Sequence, residues 1–485
     1  MSSSSSKPAD RLTLDTVLII AVLVGTTFVM MLNETALAVA LPNIMSEFAI
    51  SAGTAQWLLT GVMLTMAIMM PLTGWILDRF TTRQVYFFAV VFFLIGSAVA
   101  AISPSFEVML LGRVLQAVGT AVVAPLQMTV VMTIVPPARR GTIMGLISIV
   151  MAVGPALGPT FAGTVMSMAS WHMIFWIMVV LVSIAGLFGI WKLRNVGAVK
   201  KAPLDVVSAI LSVFAFGGIV YGLSSIGVIM DGGSAATVAL ALTAVGMVGL
   251  VLFVWRQISM GKKGKALLNL APLKIRNFVI AVVVIMLFQG VMLGASNTLP
   301  LYLQGALLTT ALVAGLVNLP GGIVETVFSP FAGALYDRIG PRPLVIPGTI
   351  IGALSLYWMA TVDHTTPVWL VMVMFAAFSF GLAMTLTPLM TTAMSSLPDD
   401  IYSHGSAIVN TLMQLAGAAG TAVMITTFDL VSMAGGDTPE SRGQGGAAAF
   451  LICAVLLTLA AVSTFFLRRP ALEGFTKTVV VEGPR

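Results

Sequence analysis

Apolar residues run through this chain in long blocks, broken by short polar connections, from Thr16 to Leu467. A helix needs about 20 mainly apolar residues to cross ~30 Å of hydrocarbon, and the blocks are of that size. In lipid every backbone N–H and C=O has to be satisfied within its own segment, so such blocks form helices. The pattern predicts helices near 15–40, 54–77, 84–102, 107–134, 141–166, 171–193, 204–224, 235–256, 276–301, 308–335, 342–361, 368–396, 403–429 and 447–467. Fourteen is an even count and puts both termini on one side.

Composition agrees with the bilayer as solvent. Of 485 residues 58% are hydrophobic and 9% charged, with a mean hydropathy of +1.04. A soluble domain keeps roughly a quarter of its residues charged. The first apolar run is followed by no small-residue cleavage site, so it reads as a retained helix after a short polar tail, Ser2 to Arg11. The single cysteine, Cys453, lies in the last apolar run and excludes an intrachain disulfide.

The net charge of +6 is a topology signal. Lysine and arginine collect in cytoplasmic loops. With the N-terminus inside, 22 of the 24 basic residues fall in inner segments, Arg113 falls within a helix, and only Arg442 falls in an outer loop. The basic balance therefore carries no nucleic-acid function. Both termini are therefore expected on the cytoplasmic side.

The chain repeats itself. Gly74-Trp75-Ile76-Leu77-Asp78-Arg79-Phe80-Thr81-Thr82-Arg83 is echoed 259 residues later by Gly333-Ala334-Leu335-Tyr336-Asp337-Arg338-Ile339-Gly340-Pro341-Arg342, with Gly, Asp and both Arg coinciding. Pro125 and Pro136 are answered by Pro388 and Pro398, at offsets of 263 and 262. These echoes predict a six-helix half at 1–200, a two-helix insert and linker at 201–262, and a second six-helix half at 263–485. Internal repeats in a helical membrane protein point to a transporter with its substrate site between the halves.

On these motifs the chain resembles the major facilitator superfamily, and within it the fourteen-helix drug:proton antiporters that include quaternary-ammonium exporters. The resemblance implies a gating role for Gly74, Asp78, Arg79 and Arg83, and for Gly333, Asp337, Arg338 and Arg342. Thr81 stands where glycine is usual, which predicts a weaker turn there. Arg113-Val114-Leu115-Gln116-Ala117 is similar to the family's Arg-x-x-Gln-Gly motif, and a charge inside a membrane is a functional candidate by default. Gly154, Pro155, Gly158, Pro159 and Gly163 resemble the antiporter motif of the fifth helix, whose small residues and prolines shape packing.

In the first helix, Leu32-Asn33-Glu34-Thr35 resembles a stretch with aspartate where Asn33 stands, so the acid has moved one place to Glu34. Buried acids exchange protons usefully when burial and a nearby cation oppose each other; Glu34 with Arg113 is the candidate proton-coupling pair. Glu325, flanked by Pro320, Gly321, Gly322 and Pro330, is the second deep acid, and the resemblance implies a role in binding dicationic substrates. Gln56-Trp57 matches the family's Gln-Trp pair and supplies candidate lining beside Glu34. Asp429 falls near an outer helix end, and His172, His364 and His404 lie near helix ends. The 31 methionines and 26 phenylalanines suit promiscuous cation-binding surfaces, though most pack against lipid or other helices.

Metal-ligand spacings, nucleophile elbows and phosphate loops are absent from the sequence, so an enzyme is not expected. The expected activity is proton-coupled efflux of lipophilic mono- or dicationic compounds by alternating access. It would be driven by the proton gradient without a cofactor or metal, in a monomer surrounded by lipid. Same-fold export of a lipid, peptide or metabolite stays open, as do proton-coupled import and a non-transporting membrane sensor.

Overall fold

The computed structural model describes residues 13–467, apart from 51, 56, 197–198, 200–202 and 264. The polar N-terminal stretch, Gln56, Lys200, Lys201 and the basic residues from Arg468 onward lie outside the described residues.

Regular structure among the described residues is helical throughout. The first half holds α1 (Leu14–Phe48), the single turn α2 (Ala52–Ala55), α3 (Trp57–Arg79), α4 (Thr82–Ala101), α5 (Phe106–Ile134), α6 (Arg140–Met168) and α7 (His172–Lys192). There follow α8 (Val206–Ser224), the short α9 (Ile226–Asp231) and α10 (Gly233–Gly261). The second half holds α11 (Arg276–Gly305), the short α12 (Ala311–Leu316), α13 (Leu319–Ile339), α14 (Arg342–Met359), α15 (Val368–Ser395), α16 (Tyr402–Ala434) and α17 (Pro439–Thr464).

Eleven of these helices are long and apolar enough to cross a membrane. The expected fourteen spans are thus matched by apolar length at eleven places, and α6, α13 and α14 are not among them. Glycine and proline dilute α13, at Pro320, Gly321, Gly322, Pro330 and Gly333. Helices α6 and α13 also meet glycine to glycine, since a Cβ on Gly333 would run into the Gly141 carbonyl.

Local chemistry moves several predicted ends. The predicted helix 308–335 is two helices: Thr310 caps α12, and Pro320 sits in the first turn of α13, where a missing N–H costs nothing. The last helix starts at Pro439, eight residues before the predicted 447, because Thr438 and Ser441 close a capping box. Thr81 does not weaken its turn. Its hydroxyl accepts the Gln84 N–H while Gln84 Oε1 accepts the Thr81 N–H at 3.0 Å, a full capping box. The matching residue of the second copy, Gly340, turns the chain with φ +82°, a conformation open to glycine.

Packing follows the repeat. Within the first half α4 packs on α5, α1 on α6 and α3 on α5; within the second, α11 packs on α16 and α14 on α15. The halves meet chiefly through α6 on α13 and α3 on α16, which are matching pairings under the repeat. Helices α8 and α10 pair with each other, and α8 leans on α3 and α16. Asp205 at the start of α8 holds Arg256 of α10 through two hydrogen bonds of 2.8 Å. Burial opposes ionisation of Asp205, but hydrogen bonds from Arg256 and Ser208 outweigh it and hold the carboxyl below the usual aspartate range.

Candidate functional site

Arg113 is 1% exposed, seven residues into α5. Its Nη1 donates to Gln116 Oε1 at 2.9 Å, its Nε donates to the Leu58 carbonyl at 3.4 Å, and Nη2 is buried without a partner. Gln116 is fixed in turn by donating to Ser97 Oγ at 2.8 Å. Glycines permit this closeness: Gly96 and Gly112 bring α4 and α5 together, and a Cβ on Gly112 would lie 2.8 Å from the Gly96 carbonyl oxygen. The guanidinium does not snorkel to an interface. It is built into the first half and acts electrostatically on Glu34 of α1, which acts on it in return. Glu34 is half-buried, while the neighbouring Asn33 is 3% exposed with its side-chain oxygen unpartnered.

The glycines of the fifth-helix motif face this same stretch of α1. A Cβ on Gly158 would strike Thr35 Oγ1 and lie 3.0 Å from both the Leu32 carbonyl and the Ala36 nitrogen. A Cβ on Gly154 would lie 3.2 Å from Met31 Cβ, whereas one on Gly163 would meet nothing within 4 Å. The backbone of α6 is continuous through 155 and 159, whose side chains lie outside the described residues. Nearer its start, α6 uses Gly141 and Gly145 against α13, with a Cβ on Gly145 only 2.8 Å from Pro330 Cα. One helix thereby joins the acid-bearing segment of the first half to the second half.

The two copies of the Gly-Asp-Arg motif make matching latches. Asp337 accepts the Gly141 and Thr142 N–H groups at 2.8 Å each and the Thr142 hydroxyl at 2.7 Å, capping α6. Asp78 accepts the Ser403 hydroxyl and faces His404 Nε2 at 3.3 Å, at the start of α16. A carboxylate at a helix N-terminus is held by the free N–H groups and the dipole. The second arginines bind carbonyls at or just past helix ends: Arg83 donates to Ile190 in the last turn of α7 at 2.6 Å, and Arg342 to Phe465 and Leu467, which follow α17. Arg79 and Arg338 are exposed. Buried Arg140 crosses between halves, donating to the Tyr402 hydroxyl at 3.0 Å with its guanidinium 5.6 Å from the ring centre.

Arg140, Tyr402, Ser403 and His404 were not singled out from sequence as latch residues, although a signal existed. The 262-residue offset that aligns Pro136 with Pro398 also aligns Arg140 with Tyr402 and Thr142 with His404. Further polar contacts between halves run inward from the latches: Ser406 donates to the Pro125 carbonyl at 3.0 Å, and Ser148 bonds Thr387 at 2.8 Å. The end that carries the basic loops is therefore the sealed one. Just inside the seal, Thr27, Gln127, Met128, Met144, Met390 and Asn410 line a cavity of about 30 Å³, room for a water or two.

Other expected residues fall elsewhere. Glu325 is half-buried in α13, and no charged group among the described residues acts on it. Because α13 begins at Leu319, Glu325 lies two turns from the helix end opposite the basic loops, nearer that end than a helix from 308 would put it. Glu34 and Glu325 do not act on each other. Trp57 is 37% exposed and stacks on Tyr221 of α8, ring centres 5.9 Å apart, so the inserted hairpin covers a face that was expected to line the site.

Comparison with known proteins gives this geometry its setting. Residues 23–421 match the Major Facilitator Superfamily. The chain belongs to that superfamily. It is therefore a membrane transporter and not an enzyme. It is 37% identical over 456 residues to the lincomycin resistance protein LmrB of Bacillus subtilis (strain 168), covering 92% of this chain and 94% of that one. It is 28% identical over 414 residues to the multidrug export protein EmrB of Escherichia coli (strain K12), covering 83% and 78%. In fold it is similar to the proton:xylose symporter XylE bound to 6-bromo-6-deoxy-D-glucose, with a TM-score of 0.66 at 14% identity, covering 93% of this chain and 96% of that one.

Proposed function

We propose that this facilitator is a proton-driven exporter of lipophilic cations that works by alternating access in a bacterial cytoplasmic membrane, as a monomer with both termini cytoplasmic. The observation that carries the proposal is the Glu34–Arg113 pair: a half-buried acid and a fully buried base, electrostatically coupled inside an apolar bundle. Charges are too costly in that setting to persist without a task. The names of the relatives, one for lincomycin resistance and one for multidrug export, support outward drug transport. Sealing at the basic-loop end supports an outward-facing state once those loops are assigned to the cytoplasm.

In this mechanism Glu34 takes a proton from the outer side in the field of Arg113, and release of the proton toward the cytoplasm makes room for the cation. One proton entering down 100 mV supplies about 2.3 kcal/mol. Exchange of a monocation for one proton is electrically neutral, so a dication needs more than one proton. Glu325, with no charged partner among the described residues, is the second anionic site and sets substrate charge.

The test is proton-coupled dye export in vesicles with Glu34→Gln and Glu325→Gln made separately. The expected results are loss of coupling in the first and loss of dication export in the second. Full coupled export by both would end the proposal. The lincomycin name of one relative favours a second reading, in which the cargo is not confined to cations; a panel of cationic and neutral compounds separates the two.

A further inference from the structure

The inserted hairpin has no counterpart in the repeat, yet a continuous line of buried and part-buried polar contacts joins it to one of the two latches. Ser208 of α8 donates to Asp205 at 2.6 Å and accepts from Gln257 Nε2 of α10 at 2.7 Å. Gln257 is 1% exposed, and its oxygen accepts the backbone N–H of Leu268 at 3.0 Å, in the segment leading to α11. The next N–H, of Asn269, donates to His404 Nδ1 at 3.2 Å, and His404 Nε2 faces Asp78 at 3.3 Å. Leu268 is 4% exposed and reaches Gly74, where an added Cβ would lie 3.4 Å from its Cδ1. Residues 268–269 are thus wedged between α3 and α16.

The other latch lacks this line. Its matching residue, Thr142, bonds Asp337 directly. At His404 the tautomer is decided by the linker: a ring nitrogen that accepts an N–H carries no proton, so the proton sits on Nε2, toward Asp78. A buried glutamine with both ends partnered is costly to leave half-satisfied.

We propose that the inserted hairpin is a clamp, with Gln257 as its positioning residue. Through Leu268 and Asn269 it holds His404 against Asp78 and weights the transporter toward the state closed at the basic-loop end. The proposal rests on alternating access, because it assigns the hairpin an effect on that equilibrium.

Spin labels at Phe80 and Pro398, exposed neighbours of the two latch partners, would report the opening of that end in the full chain, reconstituted in lipid with Cys453→Ala. Gln257→Leu and His404→Thr should each raise the long-distance population by roughly two- to tenfold, the weight of about one hydrogen bond. The double variant should shift it no further than His404→Thr alone, since both cut one line. Ser208→Ala, a smaller change, should shift it in the same direction and carries the test if Gln257→Leu fails to fold. The clamp is refuted if His404→Thr opens that end while Gln257→Leu and Ser208→Ala leave it as in the parent, or if the two effects add. Distances unmoved by every variant and by substrate would instead overturn alternating access, and the clamp with it.

Discussion

Arg113 is a charge fixed inside the bundle with one donor left over. Two of its nitrogens are satisfied by Gln116 and Leu58 while Nη2 keeps an unused donor, so the charge is fixed in place but not fully spent on structure. Gln116 is the residue that allows this, since it also donates to Ser97. Gln116→Met keeps the volume and removes both bonds. The expected outcome is a fall in efflux of about tenfold with protein still delivered to the membrane, at a cost of roughly 1–3 kcal/mol for the unpaired groups. Dye efflux normalised to membrane-inserted protein checks it; unchanged efflux would show that Gln116 does not orient the arginine. Glu34 was visible in the sequence as a deep acid. That Asn33 beside it is buried with an orphan oxygen was not, because the rotation of a helix about its axis is decided by its neighbours.

Among the elements, α6 packs through glycine on two sides. Its glycines face α1 at Gly154 and Gly158 and α13 at Gly141 and Gly145. Gly158→Ala has no space for its methyl against Thr35 and the α1 backbone, so the melting temperature should fall, with overpacking costing about 1–3 kcal/mol. Gly163→Ala meets nothing within 4 Å and should hold or raise the melting temperature, since alanine favours helix by ~1 kcal/mol. Thermal unfolding in detergent separates the two; equal losses would contradict the packing described. The same logic applies to the helix caps. Asp337→Ala removes three accepted hydrogen bonds at the start of α6. It should cost about 0.5–2 kcal/mol and make a cysteine introduced at the basic-loop end more reactive toward thiol probes, as should Asp78→Ala.

For the whole molecule, the consequence of the repeat is that closure is made twice. Helix α3 meets α16 and α6 meets α13, and an aspartate beside each contact binds the start of a helix in the opposite half, Asp337 by capping α6 and Asp78 through the Ser403 and His404 side chains. The inserted hairpin lies beside only one of these closures, and that asymmetry is where the clamp acts. At this scale the proposed transport cycle has a simple check. Cells carrying the gene should retain less of a cationic dye than control cells, and an uncoupler should abolish the difference within minutes. Retention that ignores the uncoupler would remove the proton from the mechanism.

Periodicity and composition were enough to read an all-helical membrane protein, because lipid leaves the backbone no alternative to internal hydrogen bonding. The Gly-Asp-Arg echo was also legible, because its two copies stand at the same internal spacing 259 residues apart. Helix ends were less so: the break before Leu319 and the early start at Pro439 depend on caps and prolines whose effect is local and competes with an apolar run. What only the tertiary structure decided was partnership. His404 with Asp78, Arg140 with Tyr402 and Gln257 with Leu268 are pairings across elements distant in sequence. Each depends on which faces the helices turn toward one another, and a chain apolar on nearly every face does not encode that rotation in its hydrophobic pattern.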